Sequence, residues 1–173
     1  MENFIAAIAN KGFFYTPHIL KKVAGEAIKN KKYTVPKKTS IAAKHFEPII
    51  EAMHEVFKTG TGKSSQIKGI EICEKTGTVE NSIKIIDGVK TQAPDHSILV
   101  AFAPKDNPKI AIAVFVENGG YGSTIAAPIS SLIIEKYLTK KISKPWVEKR
   151  MLALSLQEVY DKQKSKEIAP GTK

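Results

Sequence analysis

Cysteine is almost absent from this chain. Cys73 stands alone, which excludes an internal disulfide framework and a cysteine metal cluster. A single thiol suits a reducing compartment, and equally an exported protein that needs no bridge. Arginine is as scarce, with Arg150 the only one among 27 basic residues. Direct reading of bases and phosphates leans on the planar guanidinium fork, so specific nucleic-acid recognition is disfavoured. The net charge of +10 is then a lysine-rich solvated surface. Long apolar runs are missing too. MENFIAAIANKGFF lacks a basic leader and breaks at Asn10, Lys11 and Gly12, and nothing later is long enough for a bilayer, so neither signal peptide nor membrane span is expected.

What is present is enough for one domain: 173 residues can build one sizeable core. Phe4, Ile5 and Ile8 share a helical face that Gly12 ends. A chain that opens in mid-helix reads as a piece of something larger. FFYTPHILKKV (13–23) reads as extended, with Pro17 pushing Thr16 towards β geometry. AGEAIKNKKYTVPKKTS is weakly patterned and reads as a loop or short hairpin. From His45 to Lys58, Phe46, Ile49, Ile50, Met53 and Phe57 recur at helical spacing, with Pro48 in the first turn and Gly60 past the end.

GIEICEK (69–75) alternates like a half-exposed strand. SILVAFAP (97–104) and KIAIAVFV (109–116) read as strands covered on both faces, joined into an antiparallel hairpin by KDN. ENGGYGST (117–124) is a glycine-rich loop, with Ser123 or Thr124 placed to cap a helix whose stripe is Ile125, Ile129, Leu132 and Ile133. Pro145 opens a last helix with Trp146, Leu152, Leu156 and Val159, and KSKEIAPGTK is expected to fray. The fold class is α+β, an antiparallel sheet flanked by helices.

Three motifs carry no chemistry. GTGKSS (60–65) ends like a phosphate-binding loop, but the glycine required five positions before Gly62 is Phe57, inside a helix. HEVFK (54–58) begins like a zinc-protease helix, yet Lys58 replaces the second histidine, and His18, His45 and His96 have no ligand spacing. No metal and no cofactor is implied. The third is SQIK (65–68), the chain's S-x-x-K. Gly69 follows at once, whereas a nucleophile serine needs the start of a helix, so Ser65 is a chance match.

KTGT (75–78) remains. Lys75 supplies a positive field, Thr76 and Thr78 supply hydroxyls, and Gly77 leaves the backbone open to close approach. At a strand end this suits a carboxylated peptide added as an extra strand, and a backbone N–H there can stabilise an oxyanion. An ordinary surface strand end fits the same residues.

KTGT, DHSILVAFAP (95–104) and NPKIAIAVFVENGGYGSTIAAPI (107–129), in that order and after FIAAIANKGFFYTPHIL, resemble the C-terminal part of the transpeptidase domain of class B penicillin-binding proteins. The resemblance covers roughly residues 1–140, leaving 141–173 as a C-terminal helix and tail. It implies part of the penicilloyl-serine transferase fold and acyl transfer: a serine attacks the D-Ala-D-Ala end of a peptidoglycan stem peptide, and an amine on a neighbouring strand resolves the acyl-enzyme. β-Lactams mimic that peptide. Lys75 then supports the nucleophile's field and binds the substrate carboxylate with Thr76 and Thr78. The Thr78 N–H is one oxyanion donor, and Gly77 keeps the groove clear.

The family's S-x-N motif is missing, and no nucleophile serine is expected here. The chain would be inactive alone and need the remaining N-terminal part of its protein, on the extracytoplasmic face of the bacterial cytoplasmic membrane. The rival readings are a non-catalytic interaction module and a fragment of a serine β-lactamase or β-lactam sensor.

Overall fold

The computed structural model describes residues 1–59, 66–86, 89–157 and 161. GTGKSS, Ser65 of SQIK, Val159 and the segment KSKEIAPGTK lie outside the described residues.

Helix α1 (Glu2–Ala9) buries Ile5 and Ile8. It ends where Lys11 and Gly12 turn to φ 54° and 113° and the Gly12 N–H donates to Ala7 O at 2.8 Å. A Cβ on Gly12 would come within 3.2 Å of the Phe46 ring, so both the left-handed turn and the packing call for glycine. The lysine-rich stretch forms small local pieces. β1 (Phe13–Phe14) pairs with β4 (Lys37–Lys38), and β2 (Lys22–Val23) with β3 (Glu26–Ala27), all antiparallel. Between β3 and β4, Asn30 caps the short helix α2 (Lys31–Thr34) by accepting from the Lys32 N–H.

A 3₁₀ turn at Ala43–His45 leads into α3 (Glu47–Thr59), which buries Ile50, Met53, His54 and Phe57. His54 is a core histidine. Its Nδ1 donates to Ile72 O at 3.1 Å, and Nε2 lies 3.5 Å from Glu71 Oε1.

The main sheet is β5 (Cys73–Val79), β8 (His96–Ala103) and β9 (Ile110–Val116), antiparallel in the order β5–β8–β9. β6 (Ile83–Ile86) and β7 (Val89–Gln92) form a separate hairpin between β5 and β8. Alternation along β8 feeds two cores. Phe102 joins α1 and α3 on one face, and Leu99, Ala101 and Ala103 meet α4 (Ala126–Thr139) on the other. α5 (Pro145–Leu152) lies beside α4 and ends before Leu156, which the expected last helix included.

Four further expectations need correction. The strand expected at 69–75 runs over 73–79. Gly69, at φ 78°, makes the turn bridging Ile67 and Ile70, so residues 69–72 lead into the strand, and Ile72, Cys73 and Glu74 are all buried in place of the expected alternation. Among the described residues β9 is an edge of this sheet with Phe115 exposed, not a central strand, although α1 and α4 do pack on its two faces. The α4 cap is neither Ser123 nor Thr124: the Ala126 N–H donates to Ser97 Oγ at 3.2 Å, from the start of β8. Finally, α4 buries small residues, Ala126, Ala127, Ser130 and Ser131, together with Ile134. Ile133, of the expected stripe, is exposed. Close helix–sheet packing selects small side chains, which a hydrophobic stripe does not reveal.

Cys73 is fully buried, and burial pushes its thiol up to about 12. The thiolate is the reactive form, so iodoacetamide at pH 8 is expected to leave Cys73 intact in the folded chain and to alkylate it fully in denaturant. Intact mass reads the difference. Rapid native alkylation would mean that α1 and α3 do not close over the sheet.

Candidate functional site: an edge strand under a glycine-rich loop

KTGT lies inside β5, not at its end. Lys75 stands opposite Val100, Thr76 opposite Leu99, Gly77 opposite Ile98 and Thr78 opposite Ser97. Among the described residues β5 pairs with β8 alone, so it forms an edge of the sheet. An edge strand presents backbone N–H and C=O groups to an incoming chain. Lys75 and Thr78 are exposed, while Thr76 and Gly77 are half-buried.

Strand alternation puts Lys75 and Gly77 on the α1/α3 face and Thr76 and Thr78 on the α4 face. The expected carboxylate contacts therefore do not share a face. A cation and two hydroxyls on opposite faces converge only at the strand's outer edge, in the plane of the sheet.

Lys75 stands at a groove of ≈ 360 Å³ lined by Phe4, Ile5, Ile8, Ile49, Met53, Val56 and Val100, among others. Its Nζ donates to Thr76 O at 2.7 Å, which folds the side chain along its own strand and leaves further ammonium protons to donate.

The sequence reading missed two features that hold this strand. The first is the glycine-rich loop, which lies directly on β5. A Cβ on Gly122 would fall 2.5 Å from Ile98 O and 2.8 Å from Gly77 O, and one on Gly119 would fall 2.9 Å from Ser97 Cβ. Neither position admits a side chain. Glycine spacing flagged a loop, but nothing local showed that it packs on a strand forty residues earlier.

The second feature is a polar clamp where β5, β8 and the loop meet. The Asn81 N–H donates to Asp95 Oδ1 at 3.0 Å, and its Nδ2 donates to Asn118 Oδ1 at 2.6 Å. The Asn118 N–H donates to His96 Nδ1 at 3.0 Å, and the Gly120 N–H to Asp95 O at 2.7 Å. Asn118 adopts φ 55°, a conformation asparagine tolerates better than most residues. Ser97, wholly buried, donates to Tyr121 O at 3.2 Å while serving as the α4 cap. That serine is committed to structure. Asn118→Ala is expected to cost about 1–3 kcal/mol, because it takes an acceptor from the half-buried Asn81 amide and removes the asparagine from a left-handed turn. Thermal unfolding measures it, and a change under 0.5 kcal/mol would show that the clamp holds nothing.

Among the described residues no group of three His, Cys, Asp or Glu side chains could hold a metal ion, and no helix is long and apolar enough to cross a membrane.

Residues 1–135 match the family model of the penicillin-binding protein transpeptidase domain. The chain belongs to that family. More closely, it is a fragment of a class B penicillin-binding protein transpeptidase domain. The peptidoglycan D,D-transpeptidase MrdA of Haemophilus influenzae is 31% identical to it over 155 residues, covering 82% of this chain and 23% of that protein. The peptidoglycan D,D-transpeptidase PbpA of Mycobacterium tuberculosis is 32% identical over 140 residues, covering 77% and 27%. The chain thus spans about a quarter of the length of those relatives. Among solved structures, a ceftriaxone acyl-enzyme of M. tuberculosis penicillin-binding protein A superposes with TM-score 0.64 at 31% identity, over 80% of this chain and 31% of that one. Penicillin-binding protein 2 of Pseudomonas aeruginosa gives 0.59 at 28% identity, over 78% and 28%. The chain has, in part, the penicilloyl-serine transferase fold of these neighbours, an antiparallel sheet flanked by helices.

Proposed function

We propose that this chain forms the substrate-binding wall of a peptidoglycan D,D-transpeptidase whose nucleophile serine lies on a segment outside these residues. The observation that carries the reading is β5: an edge strand that presents Lys75 beside an apolar groove, exposes Thr78 and lies under a loop that admits only glycine at 119 and 122. A stem peptide would lie along that edge as an added strand. Lys75, Thr76 and Thr78 would hold its terminal carboxylate in the plane of the sheet, with Gly77 leaving the approach clear. The serine oxygen bonds to the carbonyl carbon of the penultimate D-alanine, the Thr78 N–H stabilising the oxyanion. The amide C–N bond then breaks, and the terminal D-alanine leaves as an amine that takes up a proton. An amine of a second stem peptide attacks the ester, forms the cross-link and frees the serine.

The groove beside Lys75 is where the rest of the domain would pack, bringing the serine to the cation. β-Lactams would enter the same place, and the whole assembly belongs on the extracytoplasmic side of the bacterial membrane. The test is reconstitution. The segment bearing S-x-x-K and S-x-N, expressed separately, should take up little fluorescent penicillin by itself and become covalently labelled when this chain is added. Equal labelling with and without the chain would reject the wall and leave a non-catalytic module.

A further inference from the structure

Helix α5 has no core of its own. None of its residues is buried, and a helix of eight residues is marginal in water without a partner. It folds back on α4 through Lys140, whose φ of 64° ends α4 and whose N–H donates to Lys136 O. An apolar groove of ≈ 620 Å³ runs between the two helices, lined by Ile129, Leu132, Ile133, Met151 and Leu152 among others. Outside the groove Trp146 is 65% exposed, and at its lip Leu152 is 81% exposed. Residues 136–152 carry Lys136, Lys140, Lys141, Lys144, Lys149 and Arg150 against Glu148 alone. Nearly all of this lies past residue 135, where the match to the transpeptidase family model ends.

We propose that the α4–α5 face docks on an anionic phospholipid surface, with Trp146 and Leu152 entering the boundary between headgroups and acyl chains. Exposed tryptophan and leucine amid lysines is the composition that suits that boundary. An anionic bilayer supplies both the negative field the cations call for and the apolar layer the side chains call for. An acidic helix seated in the groove would leave Trp146 uncovered, because Trp146 does not line it. A second copy would bring like charges together, at net +10 for each chain. The inference stands apart from β5 and does not rest on the transpeptidase reading.

Trp146 is the chain's single tryptophan and therefore the reporter. The full chain is titrated with vesicles of equal phosphatidylglycerol and phosphatidylcholine, and separately with phosphatidylcholine alone. The expected result is a saturable blue shift with the anionic vesicles and binding at least about tenfold weaker to the neutral ones. K141E/K149E should weaken anionic binding at least about tenfold. K31E/K37E removes the same charge from the other lysine-rich segment and should change binding less than about twofold. Leu152→Ser should weaken it with every charge in place, and circular dichroism confirms that each variant folds.

Four results would overturn the proposal. The emission could stay unshifted with anionic vesicles, or K31E/K37E could weaken binding as much as K141E/K149E. Emission already blue-shifted in the free chain, together with a dimer in sedimentation, would assign the face to a second copy. A shift produced by an acidic amphipathic peptide and not by vesicles would assign it to a protein.

Discussion

Lys75→Ala, placed in this chain and combined with the segment that carries the nucleophile, is expected to slow β-lactam acylation by about 10²–10³-fold. That is the loss typical when one preorganised electrostatic group is removed from a site closed to water. The effect is large because of where the ammonium sits. Lys75 borders an apolar groove, and on the proposed reading the rest of the domain closes over it, leaving no solvent to replace its field. The fold should not notice the change: Lys75 is exposed and its hydrogen bond goes to the carbonyl of its own neighbour. Stability is expected to stay within about 0.5 kcal/mol. Stopped-flow acylation and thermal unfolding, measured on the same protein, separate the two. Unchanged acylation would remove Lys75 from the site, while equal losses of rate and stability would make it a structural residue.

Gly122→Val is expected to cost at least about 3 kcal/mol, the upper part of the range for overpacking. The obstacles are two carbonyl oxygens of the sheet, Ile98 O at 2.5 Å and Gly77 O at 2.8 Å from the added Cβ. Backbone cannot rotate away as a side chain can. The loop must lift off β5, which loosens the clamp at Asn118 and the cap that Ser97 gives to α4. For a chain of this length such a loss lowers the melting temperature by about 2–4 °C per kcal/mol. Gly77→Ala is the matched comparison. Its Cβ would meet Ile98 at 3.6 Å, an ordinary contact, so its stability should hold while acylation falls as the groove narrows. If Gly122→Val melts with the parent, the loop does not rest on the strand.

Much of this architecture can be read from residue order. α1 and α3 follow from apolar spacing, and β8 with β9 from two apolar runs around a turn. The KTGT strand and the glycine-rich loop were each visible as local patterns. Their contact was not, because nothing within ENGGYGST says that it lies on Gly77 and Ile98. The bounds of β5 also differ from the expected ones: Ile70 and Ile72 alternate like a strand but precede β5, which places Lys75 inside the strand and not at its end. The α4 cap came from Ser97, distant in sequence, where the local candidates Ser123 and Thr124 looked sufficient. α4 itself shows small residues to the sheet, so the bulky stripe pointed to the wrong face. The missed cap and the missed face of α4 trace to long-range packing demands overriding a local signal, whereas the bounds of β5 trace to the turn at Gly69.

The most direct measurement is the position of the covalent adduct. The chain and the S-x-x-K segment are mixed and exposed to benzylpenicillin, and each polypeptide is weighed intact. The account predicts one penicilloyl group on the added segment and none on this chain, whether mixed or alone. A penicilloyl group on this chain, at Ser65 or any other residue, would contradict it.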